Sequence, residues 1–159
     1  MNRPPTIVIV HSTERSAKCT VRPLRGRPDF QFYKYPRVAA IPEGYVRLGM
    51  GGPLIGPEDA SSGLLVLDGT WRRTEQMERN VRHLPVRSLP TYRTAYPRTS
   101  KVFEDPDEGL ATVEAIYAAY HRMGLTTAGL FDHYHWGSEF LALNPSLTDA
   151  PPAPGFGGV

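Results

Sequence analysis

The chain has 159 residues, 40% of them hydrophobic and 10% aromatic, and a formal net charge of +2. That length and composition allow one domain with a core of its own and exclude a disordered chain. A single cysteine, Cys19, excludes an internal disulfide and a cysteine-based zinc site, and fits a reducing, cytoplasmic setting.

Thr6 to Val10, "TIVIV", is β-branched and continuously apolar, as in a strand buried on both faces. It is too short to span a membrane or to serve as a signal segment. The following "HSTERSAKCTVRPLRGRPDFQFYKYP" has no clear period and reads as loop with one helical turn. "YVRLGMGGPLIGP" carries a short strand into a glycine-rich turn, which lacks the Gly-Lys-Ser/Thr ending of a phosphate loop. "GLLVL" is a second strand. A helix then starts at Thr70, with Trp71, Thr74, Met77, Val81 and Leu84 at helical spacing. "LPVRSLP" is a short strand, and "TYRTAYPRTSKVFEDPDEG" a long exposed connection. "LATVEAIYAAYHRMG" predicts a helix capped by Thr112 and stopped by Gly124, and "AGLFDHYHWGSEFLALN" a last helix broken near Gly137.

Strands alternating with helices predict an α/β fold with a mainly parallel sheet. The reading is one domain over residues 1–144, with residues 1–60 as a small subdomain, and a Pro/Gly-rich disordered tail over 145–159. In such sheets ligands bind beyond the carboxyl ends of the strands. "LDGTW", Leu67 to Trp71, lies at such an end, so Asp68 and Trp71 are the candidate catalytic residues. Asp68 is suited to take a proton or hold a cation, and equally to act as a turn or helix-start ligand. Trp71 offers a π-face, or is plain core at the start of an apolar helix stripe.

Charge is unevenly spread. His11 to Arg37 holds seven Lys/Arg against Glu14 and Asp29, and Thr70 to Lys101 holds eight against Glu75 and Glu78. Two basic segments interleaved with aromatics predict one positive face suited to phosphate contact and base stacking. Arg22, Arg25, Arg27, Arg72, Arg73 and Arg79 are the RNA-binding candidates. Asp132, His133 and His135 do not share a helix face, so no metal is expected there.

"LDGTW" resembles the signature of the DTW-domain family and the related Asp-Cys-Ser-Trp signature of the ribosome-biogenesis aminocarboxypropyltransferases. Further elements match in order. "KCTVRPL" (Lys18 to Leu24) resembles the latter group's Lys-Cys-Ser/Thr element, and "LIGPED" (Leu54 to Asp59) its Leu-Ser-Pro-x-Asp. "LPVRSLP" lies where both groups have a proline-flanked strand. "PDEGLATVEA" (Pro106 to Ala115) is similar to the DTW pattern Pro-x-Glu-Gly-x-x-x-Thr-x-Glu-Ala, and "HWGSEFLALN" (His135 to Asn144) to the ribosomal group's Trp-Gly-x-x-Phe-x-x-x-Asn. The ribosomal group's Asn-Pro-x-Asn-Tyr-Gly is replaced here by "LPTYRTAYPRTSK".

The resemblance implies a SPOUT-like sheet with helices on both faces and a C-terminal trefoil knot. It implies S-adenosylmethionine as cofactor and transfer of its 3-amino-3-carboxypropyl group to N3 of a uridine or modified uridine in rRNA or tRNA. By carry-over, Leu110, Thr112 and Ala115 match the cofactor-binding loop and helix start, Leu89 and Pro90 the adjoining wall, and Thr20, Ile55 and Pro57 further cofactor-side positions. Glu114 inside the match reads as a surface or capping residue. The rival readings are a SPOUT-type RNA methyltransferase and a non-catalytic RNA-binding or ribosome-assembly factor.

Overall fold

The computed structural model describes residues 3–11, 20–68, 71–97 and 110–151, with the backbone alone for residues 71–73. Among these, five strands form one all-parallel sheet in the order β2-β1-β4-β3-β5: β1 Thr6–His11, β2 Phe30–Tyr35, β3 Tyr45–Leu48, β4 Gly63–Asp68 and β5 Val86–Arg87. The central pair is the most apolar, as a sheet covered on both faces requires. Every residue of β1 is buried, and all of β4 except Leu67. Strands from the first 60 residues and from beyond them therefore share a single sheet.

Side-chain alternation along the strands builds two cores. Val8, Val10, Leu64 and Val66 face one side with Val21, Leu24 and helix α2 (Thr112–Met123). Ile7, Ile9 and Leu65 face the other with Met77 of helix α1 (Trp71–Glu78) and with Val81 and Leu84. Helices thus cover both faces.

Three elements differ from the sequence reading. The stretch read as loop contains β2, an edge strand whose only neighbour is β1. The helix after β4 ends at Glu78. Val81 donates to the Glu78 carbonyl (3.0 Å) and Leu84 to Val81 (3.0 Å), so tight turns rather than α-helix carry these residues into the core. Residues 128–136 are likewise turns, built by bonds from Leu130 to Thr127, Asp132 to Gly129 and Tyr134 to Phe131. Helix α3 runs only from Gly137 to Leu143. Gly137 is needed there because a Cβ would stand 2.9 Å from the Phe131 side chain.

Helix α2 starts and stops close to expectation, but Ala111 is its cap and Thr112 its first residue. Gly124 closes it with φ +81°, a conformation that favours glycine. α2 runs antiparallel to the strands: Thr112 bonds Asp68 at the carboxyl edge, and the Tyr120 hydroxyl meets Thr6 Oγ1 (2.6 Å) at the amino edge. After α3, Asn144 clamps the segment beyond β5. It accepts from the Arg93 amide (2.8 Å) and donates to the Arg93 carbonyl (2.9 Å). Pro145–Thr148 form a short 3-10 turn that buries Leu147, so the start of the tail is ordered against the domain; residues 152–159 lie outside the described residues.

Candidate functional site

The chain leaves β1 for β2 on one side and places β4, β3 and β5 on the other, so strand order reverses between β1 and β4. A crevice beyond the carboxyl ends is expected at that point. Asp68 sits there, paired in register with Val10 and 7% exposed. Its side chain shares the sheet face of Leu64 and Val66, the face α2 covers. The Thr112 hydroxyl donates to Asp68 Oδ1, so the first residue of α2 is tied to the last residue of β4. Thr20 joins them, its Oγ1 accepting from the Val113 amide at 3.2 Å. Three residues far apart in sequence, Thr20, Asp68 and Thr112, therefore meet at one helix start.

The other expected positions lie at different distances from this point and at different depths. Leu110 and Leu89 are half-buried and pack in one apolar cluster with Phe140 and Leu147. Pro90 and Ala115 are also half-buried, and the Ala115 amide donates to Ala111 within the first turn (3.0 Å). Ile55 is fully buried; its amide donates to Ser88 (2.9 Å) and its carbonyl accepts from Arg122 Nε (2.8 Å). Arg122 is about 15 Å along α2 from Thr112, so Ile55, and Pro57 in the turn after it, stand towards the far end of that helix. Gly69 and Thr70 lie outside the described residues, as do the side chains of Trp71, Arg72 and Arg73.

Glu114 is fully buried rather than on the surface. Its carboxylate accepts four hydrogen bonds: from Thr94 Oγ1 (2.6 Å), Ala95 N (3.0 Å), Ala111 N (2.9 Å) and the Tyr134 hydroxyl (2.9 Å). Burial, with the Glu114 charge beside it, pushes the Tyr134 phenol far above its ordinary pKa, so it stays a donor. The sequence signal was a Glu at the third position of the helix, where a reciprocal cap forms; nothing in it announced the donors from residues 94, 95 and 134. Trp136 stands next to this network, edge-on to Tyr96 (5.3 Å) and Tyr134 (5.9 Å).

A search of solved structures yields a match over nearly the whole chain. The chain shares its fold with Tsr3. That structure is the SAM-dependent rRNA:acp-transferase Tsr3 from Vulcanisaeta distributa; the TM-score is 0.68 at 24% identity, over 91% of this chain and 81% of that one. No protein-family model matches the sequence, and no curated protein matches it.

On this Tsr3-like scaffold the candidate arginines do not form one face. Arg22 and Arg25 are exposed beside Val21 and Leu24, on the α2 side, with the Arg25 guanidinium over the Phe32 ring (5.4 Å). Arg79 is exposed beyond α1, which packs on the opposite side of the sheet. Arg27 is held by Asp29 through two bonds, Nε to Oδ1 (3.0 Å) and Nη2 to Oδ2 (2.9 Å), and also donates to the Ala128 carbonyl (3.2 Å). This pairing lowers the Asp29 pKa below its ordinary value.

A cavity of about 230 Å³ opens at the amino edge, lined in part by Arg3, Pro5, Asp29 and Tyr120. Its charged groups are already engaged, Arg3 with the Ala60 and Ser62 carbonyls (3.2 and 2.7 Å) and Asp29 with Arg27. Among the described residues no cluster of three His, Cys, Asp or Glu side chains could hold a metal ion, and no helix is long and apolar enough to cross a membrane.

Proposed function

We propose that this chain transfers the 3-amino-3-carboxypropyl group of S-adenosylmethionine to N3 of a uridine or modified uridine in RNA, with rRNA as the class favoured by the likeness to Tsr3. The observation that carries this reading is the meeting of Thr20, Asp68 and Thr112 at the start of α2, at the order reversal of a sheet with the Tsr3 fold.

The donor set suits the cofactor. Asp68 supplies negative charge opposite a sulfonium or ammonium. The start of α2 favours a carboxylate through its dipole and amides. Leu89 and Leu110 give apolar walls for the uncharged parts. When bound, S-adenosylmethionine supplies a methylene carbon activated by the neighbouring sulfonium. The protein's own work is then to orient that carbon and to help N3 of the base lose its proton, because the neutral imide has no lone pair to attack with. Asp68, oriented by Thr112, is the group assigned to the proton or to the cofactor's cationic end, and Trp71, three residues on, to the pocket wall. Arg22 and Arg25, on the α2 side, are assigned to RNA phosphates, as are Arg72 and Arg73 of α1 and Arg79 just after it.

The SPOUT-like trefoil knot belongs to the same proposal. It is supported by the packing of Phe140 and Leu147 against Leu89, Tyr92 and Ala95 and by the Asn144 clamp on Arg93, which bring the chain's last segments against the connection after β5.

The deciding experiment uses RNA and S-adenosylmethionine labelled separately in its methyl and its carboxyl carbon. Carboxyl label in the RNA without methyl label is the expected result. Methyl label alone would make the protein a methyltransferase, and RNA binding with neither label would make it a non-catalytic factor.

A further inference from the structure

The geometry points to Glu114 as a positioning residue that locks the two walls of the site to each other. This rests on the assignment of residues 89–90 and 110–115 to the cofactor pocket. Those walls include stretches without regular structure of their own: the segment after β5, and Leu110 and Ala111 ahead of α2. Such segments hold a geometry only through the bonds that pin them. One carboxylate pins both. Thr94 and Ala95 donate to it from the first wall and Ala111 from the second, between Leu110 and Thr112. Tyr134 adds a third segment, the turn that carries Trp136.

Two features separate this arrangement from an ordinary cap. The carboxylate is 0% exposed, whereas a capping-box glutamate needs no burial. Among the described residues no Lys or Arg pairs with it, so its charge is balanced by the four donors and the start of α2. A buried charge so balanced tolerates little movement of any donor, since each lost bond exposes an unpaired acceptor. Asn144 pins the first wall independently at Arg93, so the two anchors divide that segment: Arg93 belongs to Asn144, and residues 94 and 95 to Glu114. Glu114 itself faces these donors and need not touch the cofactor. It acts through Ala111, whose placement sets the neighbouring Thr112 hydroxyl on Asp68.

The test is Glu114→Gln, which keeps the size and replaces one accepting oxygen by a donor. In hydrogen exchange on the ligand-free protein, at least one of the Ala95 and Ala111 amides, which use different carboxylate oxygens, loses protection by about tenfold or more, while the Arg93 amide keeps its own. The calorimetric Kd for S-adenosylmethionine rises about tenfold, and kcat at saturating cofactor changes less than about threefold. A uniform loss at all three amides would reduce Glu114 to general stability, and unchanged protection at Ala95 and Ala111 would overturn the proposal outright. Should the variant fail to fold, Thr94→Val removes one donor and leaves the carboxylate. It is expected to deprotect Ala95 but not Ala111 and to raise the Kd severalfold; an unchanged Kd counts against the lock. If the wild-type protein binds no S-adenosylmethionine, the cofactor reading fails, and the exchange pattern alone decides whether Glu114 joins the walls.

Discussion

At the scale of single residues, charge placement makes the sharpest predictions. Asp68→Asn keeps the shape and removes the charge, and is expected to lower turnover at least about 100-fold. Calorimetry then separates its roles: intact cofactor affinity assigns Asp68 to the proton, and weakened affinity assigns it to the cationic end. Arg25→Ala and Arg22→Ala should each weaken RNA binding and reduce the slope of log Kd against log salt by about one. Arg27→Gln should leave that slope nearly unchanged, because Asp29 already balances Arg27. The same pair has a pH signature. Asp29 has a lowered folded pKa, so its contribution is present above the unfolded value and lost as pH falls through the folded one. Both side chains are partly exposed, which limits the contribution to under about 1 kcal/mol. Urea midpoints of wild type and Arg27→Gln should therefore differ at pH 6 and converge as the pH falls below the ordinary carboxylate range.

At the scale of elements, legibility followed burial. β1 and β4 were readable because an unbroken β-branched or aliphatic run has few other fates than a buried parallel strand. α2 was readable because an apolar stripe ended on a glycine. β2 was missed: "FQFYKY" alternates weakly, and an edge strand with half-exposed tyrosines gives a faint period-2 signal inside a basic stretch. Periodicity after Asp68 placed Met77, Val81 and Leu84 in the core yet overstated the helix, since Val81 and Leu84 reach the core through tight turns. Around α3 the decisive fact is steric. Gly137→Ala should destabilise by about 1–3 kcal/mol, because the new methyl would press on Phe131 inside a well-packed aromatic group; a chemical denaturation midpoint within error of wild type would refute that contact.

At the scale of the whole molecule, the α/β class could be argued from alternation alone, and with it the carboxyl edge as the expected place for a ligand, but the strand order could not. That order brings Asp68 to the reversal point, and it depends on pairings between β1, β4 and β3 that no local pattern encodes. Local charge runs predicted one basic face, whereas the sheet separates Arg22 and Arg25 from Arg79. The resemblance named Thr20 and Thr112, and the strand end named Asp68, without their contacts; the Glu114 network came from neither resemblance nor spacing. The Asn144 clamp has a temporal consequence. A ribosome must deliver 51 residues beyond Arg93 before that carboxamide exists to seize it. Until then the emerging chain carries every reactive group of the proposed centre with one border still open. The protein should accordingly acquire its ligand only once Asn144 has emerged, although all five described strands are synthesised before it.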